Sequence, residues 1–162
     1  MIMKKDDLRS LLKQSRLGMS AEEVANKSAQ IAKLVLENID WPVVKSLHIY
    51  SSVDNWQEVD TTELVRQISS RWPHIKIIQP QLSRDNPLPN EKFDVIIVPV
   101  LGFDKTDNRL GLGGGWYDKF LITQPQALKV GLAYQAGMIE NGLPAEPHDI
   151  ALDKIITEQG VI

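Results

Sequence analysis

Residues 95–121 read VIIVPVLGFDKTDNRLGLGGGWYDKFL, an apolar run followed by a glycine-rich turn and a short helical pattern. The strand expected over Phe93 to Val100 is apolar without a break from Val95 onward, as expected of a central parallel strand buried on both faces. Four glycines, Gly111, Gly113, Gly114 and Gly115, then fall within five positions. Glycine lets the backbone approach a ligand closely and turn its N–H groups toward it. Arg109 supplies a permanent countercharge just before the glycines, and Asp118 just after them is suited to hold a magnesium ion against phosphate oxygens. A helix starting near Trp116 would add its N-terminal partial charge to the same spot. Together these residues describe a nucleotide phosphate cradle, although a plain loop between a buried strand and a helix also needs glycine. The spacing is neither a Gly-x-Gly-x-x-Gly dinucleotide fingerprint nor a Gly-Lys-Ser/Thr P-loop.

Working outward, the alternation of strands and helices argues for an α/β layered fold with a mainly parallel sheet, in one domain spanning 1–162. Residues 4–17 read as a helix ended by Gly18, with Leu8, Leu11 and Leu12 on one face. Ser20 and Glu23 form a capping box for a second helix to about Glu37. A strand at 46–51 is followed by a helix capped by Asp60 and Glu63 and running to about Arg71. Ile75–Ile78 is a second strand, and 81–92, with Pro87 and Pro89, is a loop. After the glycine turn come a short helix at 116–122, a strand at 129–134, mostly loop over 139–147, and a fifth strand over 154–162. In such sheets ligands bind at the carboxyl ends of strands, which is where the glycine turn falls.

The chain has 162 residues, a net charge of −3 and no cysteine. Disulfides, thiolate catalysis and cysteine zinc sites are therefore excluded. A general nucleic-acid-binding surface is not indicated by this charge. No apolar run is long enough to span a bilayer, and the charged N-terminus lacks a signal-peptide core. The expectation is a cytoplasmic protein without nucleic-acid or membrane partners.

The string FDKTDNRLGLGGGWYDKFL closely resembles the signature of the 5-formyltetrahydrofolate cyclo-ligase (methenyltetrahydrofolate synthetase) family, F-D-x-x-x-x-R-L-G-x-G-x-G-[aromatic]-Y-D. The resemblance implies a three-layer α/β/α fold of the NagB/RpiA/CoA-transferase-like type. It also implies an ATP site built from Arg109, Gly111, Gly113, Gly114, Gly115, Trp116 and Tyr117, with Tyr117 reaching the substrate and Asp118 a magnesium ion. Lys5, Arg9 and Arg16 fall within about 40° on a helical wheel, which by itself describes a solvated helix edge with snorkelling side chains. The family opens with a K-x-x-x-R helix whose basic pair contacts nucleotide phosphates, and Lys5 and Arg9 match it. Arg16 occupies a position where the family often carries arginine.

Gln57-Glu58-Val59-Asp60-Thr61 follows the first strand and resembles the family's E-[VI]-[DE]-T element, whose glutamate contacts the folate near its formyl group. By residue type alone Glu58 is equally a loop acid. Trp56 and Tyr50 are suited either to stack on a pterin ring or to fill the core. Leu143 to Glu158 resembles the family ending P-x-E-x-H-D-x-x-[VL]-D-x-[IV]-[IV]-T-E, which implies Asp153 as a second metal carboxylate. His148 has no assigned role, and His48 and His74 show no ligand-like spacing. The reaction implied is ATP- and Mg2+-dependent conversion of the reduced folate 5-formyltetrahydrofolate to 5,10-methenyltetrahydrofolate, with Arg109 and Glu58 catalytic, by a monomer or weak homodimer. A non-catalytic binding module, or a relative acting on another small substrate, is the alternative. The span from Ile75 to Phe93 is shorter than in typical family members.

Overall fold

A computed structural model describes residues 3–80 and 86–162. Five parallel strands and one antiparallel edge strand form a sheet of order β2-β1-β3-β6-β7-β8. They are β1 (Ser46–Ile49), β2 (Lys76–Ile78), β3 (Val95–Pro99), β6 (Leu128–Leu132), β7 (Lys154–Thr157) and β8 (Gly160–Val161). The apolar run is indeed interior. β3 pairs in parallel with β1 on one side and β6 on the other.

Strand alternation divides the two faces. Leu47, Ile49, Val95 and Ile97 point into a core closed by α2 (Ala21–Asn38) and α3 (Thr62–Arg71). Ile96, Val98 and Ile155 point to the other face, covered by Phe120 and Leu121 of α4 (Trp116–Ile122) and by Phe103. α2 begins with the expected capping box. Glu23 N–H donates to the Ser20 hydroxyl at 3.1 Å, and Ser20 N–H donates to the Glu23 carboxylate at 2.8 Å. α3 is capped more loosely, with the Thr62 N–H donating to Asp60 at 2.8 Å, while Glu63 pairs with Arg66.

Three features depart from the sequence reading. Residues 154–162 form two strands, because Gly160 at φ 148° reverses the chain into an antiparallel pairing of β8 on β7. Leu11 is exposed, so the buried stripe of α1 (Lys5–Leu17) consists of Leu8, Leu12 and the stem of Arg16. The expected loop at 81–92 is no departure: part of it lies outside the described residues, and 86–92 carries neither helix nor strand.

The third departure is a small hairpin inside the glycine signature, β4 (Gly102–Phe103) against β5 (Arg109–Leu110). Asp104 builds its turn. One carboxylate oxygen accepts the Thr106 N–H and hydroxyl at 2.9 and 2.8 Å and the Asn108 N–H at 3.2 Å. The other accepts Asn108 Nδ2 at 3.1 Å and Leu143 N–H at 2.9 Å. Burial works against ionisation, but these donors prevail and hold the carboxyl below its usual range. Leu8 and Leu12 of α1 pack on Leu101 and Leu110 beside this hairpin. No helix among the described residues is long and apolar enough to cross a membrane.

Removing Asp104 strands several donors and unpins Arg109. Asp104→Ala is expected to destabilise the protein by about 2–3 kcal/mol. Urea unfolding checks this, and an unchanged midpoint would remove Asp104 from the hairpin's support.

Candidate functional site

Past the carboxyl ends of β1 and β3 lies a cavity of about 870 Å³, bounded by α1, the glycine turn, the start of α4 and the 146–149 segment. It brings together Lys5, Arg9, Glu58, Arg109, Gly111, Gly113, Gly114, Gly115, Trp116, Tyr117 and Asp118. These come from three separate stretches of chain: α1, the segment after β1 and the continuous run from Arg109 to Asp118. The glycine turn needs its glycines at two points in particular, since Gly113 and Gly115 have φ of 102° and 67°. A Cβ at Gly113 would also come within 3.4 Å of the Arg9 guanidinium.

Four cations on one edge of α1, Lys5, Arg9, Lys13 and Arg16, line this cavity. Their spacing of four, four and three residues keeps them on one side of a helix. Arg9 donates its Nε–H to the Gly111 carbonyl at 3.1 Å, joining α1 to the turn. Lys5 sits between Glu146 and Asp149 at 2.7 and 2.6 Å. Burial works to lower its pKa, but the two carboxylates outweigh it and raise the value. Arg109 is nearly buried and donates to Asp118 at 2.7 Å. Its Nε and the Tyr117 hydroxyl are buried without a hydrogen-bond partner among the described residues. Unpaired buried donors in a cavity wall are costly unless a ligand or water engages them.

Glu58 stands at the other end, 6% exposed, accepting the Val53 N–H at 2.9 Å. Burial pushes its carboxyl up, against the opposing pull of that N–H and of Arg16. Tyr50 is a core residue, with its hydroxyl on the Val59 carbonyl at 2.8 Å. Trp56 is half exposed at the cavity rim, free to stack on a planar ring.

One expectation is corrected. Asp153 does not line the cavity. It sits at the amino ends of β6 and β7, where its carboxylate accepts the Lys129 N–H at 2.7 Å. The carboxylates that accompany Asp118 are those of Glu146 and Asp149, drawn in because Ile150 N–H donates to Asp118 at 3.4 Å. Ligand atoms of Glu146, His148 and Asp149 lie within 4.8 Å of one another. The Glu-Pro-His-Asp run at 146–149 was the available signal.

His48, which has no ligand-like spacing in the sequence, is buried. Strand alternation turns it away from Leu47 and Ile49 into the aromatic layer beneath the cavity, 4.7 Å from the Phe120 ring and 5.9 Å from the Trp116 ring. Neither ring nitrogen has a partner among the described residues.

Fold and site together define the class: an α/β protein with a cation-lined cavity at the carboxyl edge of a parallel sheet. The profile of the 5-formyltetrahydrofolate cyclo-ligase family matches residues 68–158. A 5-formyltetrahydrofolate cyclo-ligase of Mycoplasma pneumoniae is 30% identical over 97% of this chain and 100% of its own length. One of Haemophilus influenzae is 43% identical over 49% of this chain, an alignment spanning 43% of that relative's length. The solved 5,10-methenyltetrahydrofolate synthetase of M. pneumoniae superposes with a TM-score of 0.81 at 28% identity, covering 96% of this chain and 99% of the other. That of Aquifex aeolicus superposes at 0.79 with 27% identity, covering 98% and 92%. The chain belongs to the 5-formyltetrahydrofolate cyclo-ligase family, a family of ligases.

His48 generates a pH prediction. Desolvation lowers its pKa from 6.5 to about 4, so between these values the unfolded chain binds the proton and the folded chain does not. Stability is therefore complete above about pH 6.5 and falls as the pH drops toward 4. At about 1.36 kcal/mol per pH unit this amounts to roughly 3 kcal/mol. Urea midpoints across that range should flatten in His48→Phe, and a parallel loss in the variant would assign the acid sensitivity elsewhere.

Proposed function

We propose that this protein is an ATP-dependent 5-formyltetrahydrofolate cyclo-ligase acting through one domain spanning 1–162. The observation that carries the reading is the single cavity in which the basic edge of α1, Arg109 on the glycine turn and the buried Glu58 converge. The substrates ATP and 5-formyltetrahydrofolate yield 5,10-methenyltetrahydrofolate, ADP and phosphate.

Arg109, Lys5, Arg9 and the N–H groups of Gly113 to Gly115 receive the phosphates at the glycine end. The formyl oxygen attacks the γ-phosphorus there and ADP leaves. Phosphoryl transfer depends mainly on alignment and charge neutralisation, so no protein nucleophile is needed. In the second stage N10 attacks the activated formyl carbon, and the C–O bond breaks to release phosphate. N10 must lose its proton in this step, and Glu58 is the base best placed to receive it. Trp56 at the rim is placed to stack on the pterin, and the Tyr117 hydroxyl to donate to a substrate oxygen.

A divalent cation fits the donor set. Asp118, Asp149 and Glu146 supply carboxylate oxygens, which suit a hard ion that keeps some water and takes phosphate oxygens. Such an ion supplies charge neutralisation and orientation of the phosphates. Lys5 and Arg109 are paired with these carboxylates; with nucleotide and ion bound, the cations would serve the phosphates and the carboxylates would hold the ion. Magnesium should therefore be required for tight ATP binding.

The test is absorbance at the methenyl-folate band on mixing protein, 5-formyltetrahydrofolate, ATP and Mg2+. ATP-dependent growth of the band is expected. A protein that binds ATP yet gives no band would sink the folate half of the reading. Arg109→Ala is expected to cut turnover by about a hundredfold or more and weaken ATP; unchanged kinetics would remove its phosphate role. Glu58→Gln should lower folate turnover by about a hundredfold while leaving ATP affinity within about twofold. The reverse pattern would exchange the two ends of the cavity.

A further inference from the structure

Among the described residues, Gln57 and Asp107 are the non-glycine residues at positive φ, at 46° and 60°. Gln57, with ψ 42°, lies in the left-handed region, where a side chain is strained unless the surroundings fix it. It ends a single 3-10 turn at Asp54–Trp56. Trp56 N–H donates to the Val53 carbonyl and Gln57 N–H to the Asp54 carbonyl, both at 3.0 Å. At Gln57 the helical run stops and the chain doubles back. Glu58 then reaches over the start of the turn, where its Oε2 accepts the Val53 N–H at 2.9 Å. Beyond Glu58 the chain is tied to the core. The Val59 carbonyl accepts the Tyr50 hydroxyl at 2.8 Å, and Asp60 N–H donates to the Ser28 hydroxyl at 2.9 Å. A right-handed φ at Gln57 would continue the helical turn and carry Glu58 past the Val53 N–H. Trp56 and Glu58, on either side of Gln57, line the cavity, whereas Gln57 does not. Its Oε1 is buried without a hydrogen-bond partner among the described residues. What this residue gives the site is therefore its backbone angle.

We propose that Gln57 is a positioning residue whose left-handed backbone sets both Glu58, as the base, and Trp56, as the stacking face for the folate, an inference that rests on the cyclo-ligase reading. The turn closes on itself through three hydrogen bonds, two from its own backbone and one to the Glu58 carboxylate. That last bond holds one carboxylate oxygen. The other accepts no hydrogen bond among the described residues and is left for the N10 proton. A base held at one oxygen and open at the other keeps its direction while it takes up a proton. Because the base and the ring face hang on one dihedral angle, a change at Gln57 moves both. The glycine turn, built from a separate segment, stays as it is.

The test is a series at Gln57 ordered by tolerance of the left-handed region. Gln57→Gly and Gln57→Asn adopt it readily, Gln57→Ala less so, and the branched Gln57→Val and Gln57→Ile least. The first readout needs no turnover: the NMR shift of the Val53 amide proton, which its carboxylate partner holds downfield. The shift should stay in place in the glycine and asparagine variants, move partly upfield in the alanine variant and fully in the branched pair. The second readout is kinetic. For 5-formyltetrahydrofolate, kcat/KM should remain within about threefold of wild type in the first two variants and fall by about tenfold or more in the branched pair, with the KM for ATP within about twofold throughout. The alanine variant falls between and decides the matter even where a branched variant does not fold. Adding Glu58→Gln should abolish the kcat difference across the series. A loss in Gln57→Gly equal to that in Gln57→Val would assign the role to the side chain and overturn the proposal. So would an unmoved Val53 amide, an ATP KM that rises in step, or a kcat difference that persists in the Glu58→Gln background. A wild type that makes no methenyl product would fail the cyclo-ligase reading alone, because the Val53 amide still decides what Gln57 does to Glu58.

Discussion

Leu8 and Leu12 of α1 pack against Leu101 and Leu110 beside the β4–β5 hairpin, and the site depends on that contact. Burying leucine side chains is worth roughly 1.5–3 kcal/mol each, enough to fix the rotation of a helix about its own axis. With the leucines turned inward, the adjacent edge carrying Lys5, Arg9, Lys13 and Arg16 faces the cavity. The hairpin is held in turn by Asp104, whose carboxylate collects donors from its own turn and from Leu143. An acid within the signature thus acts through backbone organisation, while its neighbour in the motif, Arg109, faces the cavity.

The two ends of the cavity differ in how charge is managed. At the glycine turn, cations are matched at close range by carboxylates from other segments, as in Lys5 with Asp149 and Arg109 with Asp118. Such pairs limit the cost of desolvated charge. At the far end Glu58 is buried with one backbone N–H as its hydrogen-bond partner, and burial raises its proton affinity. Raised affinity in a carboxylate lining a cavity suits a group that must take up a proton and release it.

Much of the fold was legible because it follows from local rules. The Ser20–Glu23 capping box, the leucine stripe of α1 and the unbroken apolar run of β3 each state their structure within a few residues. Where reading failed, the deciding contact came from elsewhere in the chain. Asp149 and Asp153 are acids four residues apart at the same chain end, and nothing local separates them. The pairing of β7 with β6 places Asp153 on the Lys129 N–H at the amino edge of the sheet, and the Ile150 contact with Asp118 leaves Asp149 in the cavity. Leu11 fits the helical stripe by spacing, but the apolar cluster under α1 takes Leu8 and Leu12, so the third leucine stays in solvent.

The sequence by itself determined the parallel α/β architecture, the glycine turn after the central strand and the residue types that collect around it. Those depend on side-chain periodicity and on glycine's access to positive φ, both of which are local. Only the tertiary structure decided which carboxylates join Asp118, that Tyr50 belongs to the core while Trp56 stands at the rim, that His48 is buried among aromatic rings, and that Glu58 is buried in the cavity wall. Each of those depends on burial and on distances between segments far apart in the chain, quantities that exist only once the strands have paired and α1 has docked.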